Sequence, residues 1–342
     1  MINKIMENSI GNNFNKKQRK LLNSKICDLA LKIPGTRLEE LIRELYRELE
    51  QAGISFRPKT YLSDEWGCPQ GVPVIGIPFY LADEELTRLE GELSGIEAED
   101  EAEVMMYLRH ETGHTFNYAY RLFRKPEWRR LFGKYSQPYN EVYKPVPFSA
   151  KYVRHIPGWY AQKHPDEDFA ETFAVWLTPD SDWQKQYRDT PALEKLKYVD
   201  NIVKIYGDKP PIIGEETLDK PVHELKMTLD SWYDMNKNIG RSSLNLHHII
   251  NEDLQSLFPE TEGETAAEVL KNNSRQLIRD VNYWTGIDRH ILEMLFEELR
   301  ERVRSLGLKV GPQQITSHMV SVAIFLTTLV MNYQFRGKFI DA

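Results

Sequence analysis

His110-Glu111-Thr112-Gly113-His114 reads HExxH, and that spacing has a chemical reason. Residues four apart share one face of a helix, so His110 and His114 can present two imidazoles to a single metal ion. Glu111 follows the first imidazole directly, beside the ion's open position. A carboxylate there can take a proton from a metal-activated water. Such a centre needs a third protein ligand and leaves the fourth position to water.

Outward from the pentapeptide, the three-histidine scheme HExxHxxGxxH fails, because Asn117 and Tyr120 stand where it needs Gly and His. The other solution is a carboxylate from a later helix, with a second acid four residues on to accept a hydrogen bond from a ligand imidazole. Glu167 and Glu171 in DEDFAETFAVWL (166–177) form such a pair. The two motifs together resemble gluzincin-type metallopeptidases, whose third ligand sits in an ExxA[DE]xF pattern that EDFAETF (167–173) matches. The resemblance implies Glu167 as ligand, Glu171 as the orienting acid and zinc as the metal, with Glu171 the alternative ligand. More narrowly, HETGHTFNYAYRLF (110–123), WYAQKHPDEDFAETFAVWLTP (159–179) and PALEKLKYVD (191–200) look like a bacterial family of zinc-binding metallopeptidases, over about residues 55–205. It implies an α+β, zincin-like domain with a small edge-stranded sheet and an active-site helix.

Other groups have plainer explanations. Asp166 and Asp168 suit a negatively charged first turn, stabilised by the helix dipole behind Pro165. Peptide hydrolysis also needs a donor for the oxyanion. Tyr160, seven residues before Glu167 as a Tyr is in some gluzincins, is the candidate. His155 and His164 come next, although surface or loop positions explain them as well. His223, His247, His248, His290 and His318 make no ligand pattern, and Cys27 and Cys68 have no CxxC spacing. Both thiols read as inert.

The 342 residues exceed one typical domain, and 41% hydrophobic content supports a sizeable core. A net charge of −7 and pI near 5.8 argue against a nucleic-acid binder. The basic cluster Lys16, Lys17, Arg19, Lys20 reads as a frayed tail or helix start. Two isolated cysteines fit a reducing compartment, and residues 1–20 lack the apolar core of a secretory signal. Met319–Met331, the longest apolar run, falls short of the ~20 residues of a membrane span and reads as a buried helix. The expectation is a cytoplasmic protein that engages no membrane.

Along the chain, residues 1–53 read as N-terminal helices punctuated by Pro34-Gly35, and 54–207 as the metallopeptidase domain. Residues 208–221 read as a linker, and 222–342 as an α-helical region without strand-like alternation. Within the domain, GVPVIGIPFYL (71–81) reads as a strand kept to a sheet edge by Pro73 and Pro78. Such an edge can pair with extended substrate or simply be capped by its prolines. The expected HExxH helix runs from about 100 to 123, and residues 124–158 read as a functional loop or scaffold.

Three function classes follow. The first is a peptide hydrolase acting on a peptide or protein, with Glu111 as base. The second is a metal-stabilised binding or regulatory protein without turnover, its helical C-terminal region covering the cleft or docking a protein partner. The third is hydrolysis of a non-peptide amide, since metal–water chemistry does not define the acyl group.

Overall fold

A computed structural model describes residues 15–94, 100–139, 143–214, 217–238, 250–260 and 262–339. The chain opens with α1 (Lys16–Leu22), α2 (Arg37–Gln51), β1 (Lys59–Ser63) and β2 (Val74–Pro78). Next come α3 (Glu84–Ser94), α4 (Glu101–Ala119), α5 (Pro126–Phe132), α6 (Pro165–Leu177), α7 (Trp183–Gln186), α8 (Pro191–Tyr206) and α9 (Leu229–Asn238). The remainder holds α10 (Asn251–Leu257), β3 (Glu264–Thr265), α11 (Ala266–Asn272), α12 (Ser274–Thr285), α13 (Arg289–Ser305), β4 (Lys309–Val310) and α14 (Ile315–Arg336). The molecule is mostly helical with small sheets, compatible with α+β.

α4 starts where local chemistry dictates. Asp100 accepts from the Glu103 N–H at 2.9 Å, and Glu103 accepts from the Asp100 N–H at 3.2 Å, satisfying two otherwise orphaned donors. The helix ends at Ala119, four residues short of the expected 123, and Arg121 then takes a left-handed conformation (φ 51°). Pro165 opens α6 at the expected residue, and the His164 ring accepts from the Asp166 N–H at 3.1 Å.

Two large hydrophobic cores, with a small third cluster of Val153, Val175, Tyr187, Ala192 and Leu196, organise the described residues. The first gathers Leu38, Leu45 and Leu49 of α2, Ile75 and Ile77 of β2, Leu108 and Phe116 of α4, and Phe169 and Phe173 of α6. It also takes Leu225, Leu229, Trp232 and Tyr233, while the Ile26 and Cys27 N–H groups bond Met227 and Leu225 carbonyls. The second core holds Ile250, Phe258, Ile278, Leu295, Val310 and Leu326. The change of core therefore falls between 238 and 250. Gly207 and Asp219 bond to the first unit: Gly207 O accepts from the Ser55 N–H at 2.7 Å, and Asp219 O from the Tyr61 hydroxyl at 3.0 Å.

β1 and β2 form a two-stranded sheet, so β2 is an edge strand as expected, over a shorter range. β2 spans only 74–78, pairs parallel with β1, and is buried along its length. Gly67 donates to Gly76 O at 3.3 Å, and Gly67 O accepts from the Gly76 N–H at 2.7 Å. The second edge at that position is thus taken by the chain itself, which a periodicity argument does not see. The C-terminal region also carries a short antiparallel ladder, Glu264–Thr265 with Lys309–Val310. Nor is α14 a buried helix. Val322, Leu326 and Val330 pack inward, whereas Val320, Ile324 and Phe335 are exposed. The helix is 22 residues long and, by length and composition, apolar enough to cross a membrane.

Candidate metal centre

α4 and α6 cross at two small residues. A Cβ on Gly113 would lie 2.7 Å from Ala170 Cα and 2.9 Å from Ala170 O, so only glycine allows this approach. The close crossing brings the carboxylates of α6 onto the imidazoles of α4. Arg109 fixes α4 from the other side, making two bonds of 2.8 and 2.6 Å to the buried Glu48 carboxylate on α2.

His110 Nε2 lies 3.0 Å from Glu167 Oε2 and 3.1 Å from His114 Nε2, and His114 Nε2 lies 3.2 Å from Glu167 Oε2. The three donor atoms thus mark a near-equilateral triangle. Zinc bonds of ~2.0–2.1 Å at tetrahedral angles place ligand atoms about 3.3 Å apart, so this buried set fits that ion. Burial alone would lower His110, yet hydrogen bonds to Glu167 and Glu171 outweigh it and raise the imidazole to about 9. Burial would likewise raise Glu167, but His114 and His110 hold it well below the usual carboxylate range. A compact cluster of charge-sharing ligands is what a cation would replace protons in.

Glu171 stands behind the triangle. Its Oε1 is 2.8 Å from His110 Nδ1, and its Oε2 accepts from the His155 and Ile156 N–H groups at 3.0 and 2.9 Å. With its acceptors engaged there, Glu171 orients His110 and fixes the 155–156 backbone. Glu111 is different. It is buried, its Oε2 has no hydrogen-bond partner, and burial raises its pKa despite the attraction of His110 and His114. An unpaired buried carboxylate oxygen is costly unless something else occupies its place in the working molecule.

Tyr160 lines the same cavity, its ring 5.5 Å from that of His110. Burial and the nearby Glu167 charge push its pKa well above the phenol value, so the hydroxyl stays a donor. Tyr139 lies 3.5 Å from it, oxygen to oxygen, and donates to Glu167 Oε1 at 2.7 Å. Nothing in the sequence marks Tyr139, which sits in a segment without periodicity.

Asp166 and Asp168 do lie in the first turn of α6, and both are buried. Asp166 accepts from Asn117 Nδ2 at 2.7 Å and from the Tyr118 hydroxyl, and its Oδ2 lies 3.1 Å from His114 Nδ1. That last contact joins charges without the alignment of a hydrogen bond. Asp166 therefore faces His114 by charge, whereas Glu171 hydrogen-bonds His110. Asp168 instead pairs with Lys195 at 2.6 Å, a structural tie to α8. Asn117 and Tyr120, the residues that break the three-histidine scheme, are both buried; Tyr120 donates to Lys209 O at 2.7 Å.

His155 and His164 lie in loops, as expected, with His164 buried and His155 partly so. His155 donates to Met106 O at 2.9 Å, and His164 caps α6 while donating to Gln137 O at 3.1 Å. Cys68 lines the cavity, but burial keeps its thiol protonated and it donates to Val72 O at 3.1 Å. Cys27 lies away from the cavity walls, His318 pairs with Glu260 at 2.7 Å, and His223 is exposed. His247 and His248 lie outside the described residues.

Together these side chains floor a cleft of about 470 Å³ whose walls include Trp66, Gln70, Tyr118, Tyr135 and Gln137. It is open to solute, floored by a ligand triangle and flanked by one unpartnered carboxylate. No curated protein and no solved structure matches the chain. Residues 97–240, which carry HETGH, EDFAETF and PALEKLKYVD, match the family described as “Putative zinc-binding metallo-peptidase”. Over that segment, metal centre included, the chain is similar to a family of zinc-binding metallopeptidases.

Proposed function

We propose that the chain is a zinc-dependent peptide hydrolase of zincin-like fold, acting on a peptide or protein. His110, His114 and Glu167 would hold the metal. When bound, zinc supplies Lewis-acid polarisation of the scissile carbonyl and acidifies a water molecule. Glu111 takes the proton of that water and later delivers it to the leaving amine. Tyr160 donates its hydroxyl to the oxyanion that develops on the carbonyl oxygen. Glu171 and Asp166 keep the two imidazoles at their angles.

The observation that carries this reading is the unpartnered Glu111 Oε2, buried beside the ligand triangle and facing the cleft. A purely structural metal site has no use for a desolvated, unsatisfied carboxylate at that place. Glu111→Gln should retain stoichiometric zinc while peptide hydrolysis falls by about 10²–10⁴-fold. Undiminished hydrolysis in that variant sinks the mechanism. Zinc binding with no Glu111-dependent cleavage across a broad peptide set supports a metal-stabilised binding protein instead. Tyr160→Phe should lower kcat by about 10–10³-fold with little change in KM, read from steady-state kinetics on any cleaved peptide.

A further inference from the structure

A second cavity, of about 260 Å³, meets the first at Trp66, His110, Glu111 and Tyr160. The two are arms of one cleft that passes over Glu111. They differ in chemistry. The first arm presents His114, Asp166 and Glu167, whereas the second is floored by Met106, Ile156, Ile278 and Ile287. Ile278 and Ile287 come from the second core, so the far wall of this arm belongs to the C-terminal helical unit.

That wall is held firmly to the metal-bearing unit. A Cβ on Gly286 would lie 2.7 Å from both Pro145 Cγ and Trp159 Cδ1, and its φ is +70°, so backbone meets side chain there without a gap. The Arg154 guanidinium stacks 3.8 Å from the Trp159 ring centroid and 4.0 Å from that of Tyr283. Arg275 pairs with Asp100 and Glu103 at 2.9 and 2.8 Å. Asn282 donates to Ile287 O at 2.6 Å, which fixes the end of α12 at the arm itself.

The charged groups at the rim already have partners within the chain. Arg275 holds the acids that cap α4, Arg289 holds Glu293 at 2.8 Å, and Lys163 lies 4.6 Å over the Tyr139 ring. What remains for a ligand is an apolar floor. An engineered apolar cavity of ~150 Å³ accepts benzene, so this volume admits one Leu, Met or Phe side chain.

Resting on the peptide-hydrolase reading above, we propose that the C-terminal unit forms a substrate subsite: the second arm takes a large apolar side chain beside the scissile bond. A peptide crossing Glu111 lays one side chain between Met106 of α4 and the isoleucines at 278 and 287. Its other residues lie along the polar arm. The unit thereby sets which bond is cut, in addition to any partner it binds.

The test uses the full-length, zinc-loaded protein and a peptide mixture randomised on both sides of a central bond, with cut sites mapped by mass spectrometry. Leu, Ile, Met or Phe should be enriched at one position adjoining the cut. Met106→Trp narrows the arm and should lower the kcat/KM ratio of the Leu peptide to its Ala counterpart by at least about 10-fold. Ile287→Ala widens it and should raise tolerance of Trp at the same position. Unchanged zinc content in both variants certifies that each is folded. Cleavage with no apolar preference, or with a preference neither variant alters, overturns the subsite. Cleavage of no peptide by the wild type overturns the peptidase reading and the subsite with it.

Discussion

Asp166, Glu167 and Glu171 reach the HExxH imidazoles in different ways, and the difference is in their distances. Glu167 closes the triangle of donor atoms, Glu171 sits behind His110, and Asp166 lies 3.1 Å from the far nitrogen of His114. Asp166→Asn keeps the shape but removes the charge facing that ring. It should weaken zinc affinity by about 10–100-fold without abolishing binding, as measured by competition with a chelating dye. Unaltered affinity would mean that Asn117 and Tyr118, its other partners, are its only concern. The His110–His114 pair was legible in the sequence because i, i+4 spacing on a helix translates directly into shared orientation, and Glu167 through the motif it shares with gluzincin-type enzymes. Asp166 was not, since its partners Asn117 and Tyr118 lie 49 and 48 residues away and nothing local announces them. Tyr139 shares that fault, 28 residues from the Glu167 it contacts.

Two elements make the centre, and one glycine sets their spacing. Gly113 lies between the ligands in sequence, but its requirement comes from Ala170 on α6, 2.7 Å from where a Cβ would stand. Gly113→Ala should therefore push α4 from α6 and cost about 1–3 kcal/mol of stability, visible as a lowered Tm and a lower zinc content. A variant as stable and as zinc-rich as wild type would contradict the close crossing. Helix boundaries were readable where the signal is local. Pro165 and the acidic turn fix α6, whereas the end of α4 depends on a left-handed residue, Arg121, that no motif marks. Strand readings did worse. The apolar run in GVPVIGIPFYL identifies β2, but whether an edge is free depends on Gly67, which pairs with Gly76 from outside the strand.

At the scale of the whole molecule, two cores share one cleft. The second core is readable as helical from its apolar periodicity. Its position over Glu111 is not, because Arg154 and Tyr283 are 129 residues apart when they meet. Arg154 donates to Tyr283 O at 2.7 Å and stacks on two aromatic rings, so it joins the units where the cleft runs. Arg154→Ala should weaken that junction by about 0.5–2 kcal/mol. Hydrogen exchange of the α12 amides should speed up while α4 and α6 remain protected. Equal exchange in α12 would show that the other contacts suffice.

The most direct test of the metal centre is the zinc content of the purified wild type, Glu167→Ala and Glu171→Ala, measured by elemental analysis under one dialysis protocol. The geometry predicts about one zinc per chain in the wild type and almost none in Glu167→Ala. It predicts retained but more weakly held zinc in Glu171→Ala. Zinc lost only from Glu171→Ala would reverse the ligand assignment, and a zinc-free wild type after saturation would contradict the centre altogether.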